Sequence, residues 1–284
     1  MFVIAGVSGN TGSVVANQLL AAGRKVRVVV RDAAKGEPWA AKGAEVAVAD
    51  LGDADALAAA LAGAEGAWLL LPPNVGAADV PAYQEQLTDA IVTAVGRARP
   101  GHVVFLSSVG AHLPSGTGPI LALHNAEPRL AAVAPDITFV RPGFFMENWG
   151  GSLGALAQGI FPSFYDLDRP IDHVATADIG RVAAEALLAG PKGHRVIELA
   201  GPVAQTPVEV GAVVSALVGK AIPVVPAPIE ALVPTFVSFG LSASMAGLYE
   251  EMTRAMNAGK LVFEGAPVRG IVPVDQVLGR LLGR

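Results

Sequence analysis

Short apolar runs punctuate the first half of the chain, separated by longer stretches whose apolar residues recur at helical intervals. Phe2-Val3-Ile4-Ala5, Lys25 to Val30, Ala44 to Ala49, Gly66 to Leu71, Val103 to Leu106 and Ile137 to Arg141 have the length and β-branching of strands buried on both faces. Between them lie helical patterns over Ser13–Ala22, Asp53–Ala62, Asp79–Arg99 and Ile120–Val133, with a short helix or turn over Glu37–Lys42. Strands alternating with helices predict an α/β protein built on a doubly wound, mostly parallel Rossmann sheet. After residue 142 the rhythm loosens. A helix is expected over Ile179–Ala189, a strand over Val196–Ala200 and a helix from the Thr206 cap to Val218. A short extended piece follows at Ile222–Val225, then a mostly helical apolar tail over Ile229–Ala258 and a last helix opened by Pro273. We therefore divide the chain into a nucleotide-binding domain, residues 1–142, and a smaller C-terminal substrate-side subdomain, residues 143–284, interlocked with it because no linker separates them.

The turn after the first strand carries chemistry. Gly6-Val7-Ser8-Gly9-Asn10-Thr11-Gly12 places three glycines at three-residue spacing between a strand and a helix. Gly6 permits a tight reversal, Gly9 lets a pyrophosphate approach the backbone, and Gly12 allows the helix to pack closely on the sheet. The helix start adds unpaired N–H groups and the positive end of its dipole. A dinucleotide is expected there, with Ser8, Asn10 and Thr11 as further contacts. The second strand ends in Arg31-Asp32. An acidic residue at that point suits the ribose 2′-OH of NAD, whereas an Arg suits the 2′-phosphate of NADP. Reading Arg31 as the phosphate clamp and Asp32 as a turn residue makes NADP(H) the expected cofactor.

Ligands in open α/β sheets bind beyond the carboxyl ends of the strands. Asp50-Leu51, the Pro72-Pro73 loop, Ser107 and Pro142-Gly143-Phe144 fall at those ends and complete the expected cofactor contacts. Asp50 is read equally well as an acceptor for the adenine amino group and as a plain turn aspartate. Phe145, Asn148, Trp149 and Tyr165 follow at the nicotinamide end and are the expected substrate contacts, at least one of the aromatics serving as core.

Composition narrows the classes. The chain of 284 residues is 52% hydrophobic and 16% charged, with a net charge of −5, so it offers no basic footprint for nucleic acid. It has no cysteine, which excludes a disulfide scaffold, a zinc–thiolate site and a thiol nucleophile, and points to the cytoplasm. The five histidines stand apart at 102, 112, 124, 173 and 194, so no metal site is expected. Gly-x-Ser-x-Gly does not occur, which removes the α/β-hydrolase reading. The first strand-like run begins at residue 2, so no leader is expected, and charges and prolines interrupt the apolar stretch Val213–Tyr249 short of membrane length. The tail around Phe236, Phe239, Leu241 and Met245 either covers the substrate pocket or forms a homodimer face.

Taken together, several segments resemble the atypical short-chain dehydrogenase/reductases of the NmrA-like group, close to its NAD(P)H:quinone oxidoreductase subgroup. They are the glycine loop with Arg31, Phe105-Leu106-Ser107-Ser108-Val109-Gly110-Ala111, His124-Asn125-Ala126-Glu127, Thr138 to Asn148, and Val174 to Gly180. The likeness spans almost the whole chain. It implies contacts to the dinucleotide from the glycine loop, Arg31 and the Pro72-Pro73 loop, and it sets His124 where the standard enzymes carry the lysine of their Tyr-x-x-x-Lys pair. Here the chain departs from the standard pattern. The residues four places after Tyr83, Tyr165 and Tyr249 are Leu87, Arg169 and Thr253, and the matching helix reads Ile120 and His124. His124 is therefore the candidate proton relay and a contact to the nicotinamide ribose.

A simple ketone reduced by hydride needs an acid to protonate its alkoxide. A quinone yields a delocalised anion near the acidity of a phenol, about pKa 10. The missing pair thus favours an NADPH-dependent oxidoreductase acting, without flavin, on quinones or similarly activated aromatic acceptors. The alternative is a non-catalytic redox sensor that binds NADP(H) without turnover.

Overall fold

The computed structural model describes residues 1–284. The first half alternates as the pattern predicts: β1 (Phe2–Ala5), α1 (Asn10–Ala21), β2 (Val26–Val30), α2 (Glu37–Ala40), β3 (Glu45–Val48), α3 (Ala54–Leu61), β4 (Gly66–Leu70), α4 (Val80–Ala98), β5 (Val103–Leu106), α5 (Leu121–Val133) and β6 (Ile137–Pro142). The second half adds β7 (Phe144–Phe145), α6 (Gly150–Leu153), β8 (Phe161–Ser163), β9 (His173–Val174), α7 (Thr176–Ala189), β10 (Arg195–Ala200), α8 (Pro207–Val218), β11 (Val224–Pro226), α9 (Leu232–Ser238), α10 (Ala243–Asn257), β12 (Val268–Arg269) and α11 (Val274–Leu281). Eight strands form one sheet in the order β3-β2-β1-β4-β5-β6-β10-β12, and all its pairings are parallel. The sequence direction reverses between β1 and β4, which opens the crevice where such folds bind ligands.

Alternation along each strand sends side chains into two layers. Phe2, Ile4, Val28, Trp68 and Val104 join Val15 and Leu19 of α1 and Ile179 and Ala183 of α7 on one face. Val3, Ala5, Leu69 and Phe105 join Leu57 and Leu61 of α3, Ile91 of α4 and Leu130 of α5 on the other. Small residues bring the first layer close. A Cβ on Gly180 of α7 would lie 2.5 Å from Val14 Cβ, so the α1–α7 contact requires glycine there.

β10 and β12 return from the second half to extend the sheet beyond β6. The remaining C-terminal elements surround a third, smaller core of Phe144, Met146, Trp149, Phe161, Val210, Val214, Val277 and Leu278. Two parallel strand pairs, β7–β9 and β8–β11, tie this lobe together. No helix is long and apolar enough to cross a membrane.

Candidate functional site

One cavity of about 610 Å³ runs along the carboxyl ends of the central strands. Gly6, Gly9, Asn10 and Thr11 form one end, and Leu70, Leu71, Pro73, Ser107, Ser108 and Val109 line the middle. Gly143, Phe144, Phe145, Asn148 and Tyr165 meet Met245, Tyr249, Met252 and Met256 of α10, with Leu261, Val262 and Phe263, at the far end. The cavity thus grades from exposed backbone polar groups to an aromatic and thioether chamber.

The glycine end suits a diphosphate. Gly6 takes a positive φ of 66°, and Gly12 abuts the strand so closely that a Cβ would fall 2.5 Å from the Gly6 carbonyl oxygen and 2.6 Å from that of Ala5. Gly9 is the N-cap of α1, and no side chain caps the helix's first turn. Its first amides are therefore available to an anion beside the positive end of the helix dipole. A Cβ on Gly9 would touch only the Gly6 carbonyl, at 3.4 Å, so this glycine leaves space rather than filling a tight protein contact. The residues present fit a dinucleotide.

Beyond β2, Arg31 is exposed and enters none of the protein's ion pairs, while Asp32 accepts from the Ala34 amide at 3.0 Å as a turn residue. Asp50 accepts from the Gly52 amide at 2.7 Å. Burial and the Asp50 charge push the Tyr83 hydroxyl above the usual phenol range, opposed by Arg31, so these three side chains share one neighbourhood.

Behind the middle of the cavity lies a buried charge network that sequence reasoning missed. Ser107 Oγ donates to Glu127 Oε1 at 2.6 Å. Arg141 grips the same carboxylate with Nε at 2.9 Å and Nη2 at 2.6 Å, and its Nη1 reaches Glu264 at 2.5 Å. The Ser107 proton is thereby committed away from the cavity, leaving the oxygen as an acceptor. Glu127 and Arg141 both lie in segments that carry the family resemblance, but only their pairing in space shows what they hold. Met252 and Met256 of α10 and the 261–263 loop were equally hidden, because an apolar helix face looks the same over a core as over a cavity.

The predicted residues divide. Gly6, Gly9, Asn10, Thr11, Pro73, Ser107, Gly143, Phe144, Phe145, Asn148 and Tyr165 come together on the wall. Ser8, Gly12, Arg31, Asp50, Leu51, Pro72, His124, Trp149 and Pro142 are not part of it. Trp149 requires a correction as a substrate contact. It is 1% exposed, packs at 5.4 Å on Phe144 and 5.8 Å on Phe161, and its indole N–H faces His173, so it supports the chamber from behind. His124 also stands apart: its Nδ1–H donates to the Ala111 carbonyl at 2.9 Å, which fixes the ring between α5 and the loop after β5. The structure does not place it on the cavity wall, where the resemblance implied it would be.

Comparison with known proteins agrees with this geometry. The chain is 30% identical over 258 residues to the NAD(P)H azoreductase of Xenophilus azovorans, covering 89% of this chain and 86% of that protein. It is 29% identical over 226 residues to quinone oxidoreductase 2 of Escherichia coli K12, covering 78% of this chain and 75% of that one. The crystal structure of the E. coli NADPH-dependent quinone oxidoreductase complexed with NADPH superposes with a TM-score of 0.85 at 25% identity, over 99% of this chain and 100% of that one. The family described as NAD(P)H-binding matches residues 6–190, and the chain, with its parallel sheet, glycine loop and reductase relatives, belongs to that NAD(P)H-binding family.

Proposed function

We propose that this protein is an NADPH-dependent oxidoreductase that reduces quinones or similarly activated aromatic acceptors without flavin. The observation that carries the reading is the single cavity joining the glycine loop to the aromatic and methionine chamber. Its relatives are a quinone reductase and an azoreductase, whose acceptors are flat conjugated systems. The bound nicotinamide supplies the hydride. In this reading the first amides of α1 hold the diphosphate, Arg31 pairs with the 2′-phosphate, and Asp50 and Leu51 lie toward the adenine. Pro72 and Pro73 cover the diphosphate, while Ser107 and the Pro142-Gly143-Phe144 turn flank the nicotinamide ribose. Phe145, Asn148 and Tyr165 meet the acceptor. Residues 1–142 thus hold most of the cofactor, joined by Gly143 and Phe144, and residues 143–284 close the acceptor side.

The relatives' names favour turnover over the sensor alternative. His124, bonded to Ala111 and absent from the cavity wall, is not needed as the donor, because a hydroquinone anion is stable enough to be protonated by water. A cysteine-free chain that draws on reduced dinucleotide fits the cytoplasm. Self-association through the exposed Phe239 and Val237 at the end of α9 belongs to the same reading, and sedimentation of Phe239→Ser against the parent chain tests it.

The deciding experiment is steady-state oxidation of NADPH by flavin-free protein with benzoquinones, naphthoquinones and azo dyes. Turnover with quinones is expected. Tight NADPH binding with no rate above background for any acceptor would return the protein to the sensor class.

A further inference from the structure

As hydride reaches one part of a conjugated acceptor, negative charge develops at its heteroatom, and a fixed hydrogen-bond donor facing that atom lowers the barrier. By the resemblance to the short-chain reductases, Ile120 stands at the position of their tyrosine. Ser107 has spent its proton on Glu127. Asp172, also on the wall, is held by Arg269 at 2.8 Å. Tyr83 lies among Asp50 and Arg31, away from the chamber. Among the tyrosines, Tyr165 and Tyr249 remain, and both line the chamber, beside the Asn148 amide.

Tyr165 is held in place from several directions. Its backbone N–H donates to Ser163 Oγ at 3.0 Å, and that hydroxyl donates back to the Tyr165 carbonyl at 3.1 Å. Asn257 of α10 clamps the flanking residues, donating to the Phe164 carbonyl at 2.9 Å and accepting from the Asp166 amide at 3.0 Å. The ring stands edge-on to Phe144 at 5.2 Å and to Trp149 at 5.7 Å. Tyr249, Thr253 and Asn257 follow at four-residue spacing and so share one face of α10. That face pins the 163–166 segment through Asn257 and sets the Thr253 and Tyr249 hydroxyls around that of Tyr165. Such restraint on a hydroxyl-bearing ring that lines the chamber is what a preorganised donor needs.

We infer that Tyr165 is the residue that meets the reacting heteroatom, donating a hydrogen bond to the quinone oxygen or azo nitrogen that gains charge on reduction. This rests on the reductase reading above. In the balanced reaction the acceptor gains a hydride and the nicotinamide is oxidised. The resulting hydroquinone anion takes its completing proton from solvent, and Tyr165 keeps its own. Burial, reinforced by Tyr249 and partly offset by Thr253, holds the Tyr165 hydroxyl well above the usual phenol range, so it remains a donor through neutral and alkaline pH.

The test compares the parent chain with Tyr165→Phe in NADPH oxidation by a series of substituted 1,4-benzoquinones, with NADPH affinity measured separately by its fluorescence. Tyr165→Phe keeps the ring packing and is expected to lower kcat about ten- to hundredfold, less than for a localised oxyanion because the charge is spread. NADPH affinity is expected to stay within twofold, and the loss to grow as the quinones become less electron-poor. Asn257→Ala, which frees the 163–166 segment but retains the hydroxyl, is expected to lower kcat several-fold with the same NADPH affinity. A Tyr165→Phe protein with parental kcat across the series overturns the inference. A parent chain that binds NADPH yet reduces none of the quinones instead ends the reductase reading on which it rests, and the parental control separates the two failures.

Discussion

Arg31 stands free because its sequence neighbour is occupied: Asp32 turns back to the Ala34 amide instead of forming an ion pair. An exposed guanidinium with no partner costs little to bring onto a phosphate, and a charge-assisted contact of this kind contributes about 1.5–3 kcal/mol. Arg31→Ala is therefore expected to weaken NADPH binding about ten- to hundredfold and to leave NADH nearly unchanged. Fluorescence titration with both cofactors measures this, and equal losses would remove Arg31 from the 2′-phosphate. At the same scale, Trp149 illustrates how type misleads. An aromatic residue near the nicotinamide end reads as a substrate platform, yet only burial tells that its ring faces Phe161 and His173.

The start of α1 separates two jobs that the glycine spacing runs together. Gly12 is a packing glycine, since a Cβ there would meet two backbone oxygens that cannot move aside. Gly9 is open on the protein side. Gly12→Ala should cost about 1–3 kcal/mol of stability as overpacking. Gly9→Ala should leave stability within about 0.5 kcal/mol, as ordinary surface changes do, while weakening NADPH binding tenfold or more. Urea unfolding and cofactor titration of the pair provide the check, and loss of stability in Gly9→Ala would contradict the assignment. Most of the fold was legible at this scale. The strands β1 to β6 and their helices declare themselves by apolar runs and periodicity, and the Thr206 cap behaves as expected, while Asp53 and Asp79 cap α3 and α4 in the same way. What stayed hidden was short or non-local. β7, β9 and β12 have two residues each, too few for any periodicity, and the Ser107–Glu127–Arg141–Glu264 chain joins four separate segments. Of the tail residues expected over the pocket or on a homodimer face, Met245 lines the cavity with Met252 and Met256, whereas Phe239 is exposed.

Across the whole molecule, two histidines far apart in sequence are folded in neutral. His102 is 1% exposed, bonded to Thr138 Oγ1 at 2.9 Å, and His173 is fully buried between the Trp149 indole N–H and Gln205. Burial pushes both imidazoles below the usual histidine range. The sign follows from proton uptake. Below the unfolded value of about 6.5, the unfolded chain binds protons at these sites and the folded chain does not. Stability is complete above that pH and falls as pH drops through it toward the lower folded values, at up to ~1.4 kcal/mol per pH unit for each imidazole. Urea midpoints measured between about pH 7.5 and 5.5 should decline, and His102→Gln should flatten the decline. A midpoint independent of pH in the parent chain would contradict the neutral assignment.

The roof is also fastened to the cofactor side. The Ser242 amide donates to the Val75 carbonyl at 2.8 Å, and Ser244 Oγ accepts from the Val80 amide at 3.1 Å, so α10 and the loop bearing Pro73 are bound together over one continuous cavity. In the flavin-free reading proposed above, hydride passes directly between two molecules held in that one cavity. Donor and acceptor must be present at once, so initial rates at several fixed NADPH concentrations should give intersecting double-reciprocal lines. Parallel lines would mean that the two reactants take turns, as they do where a resident redox group stores the charge. Kinetics alone thus distinguishes this architecture from a shuttle.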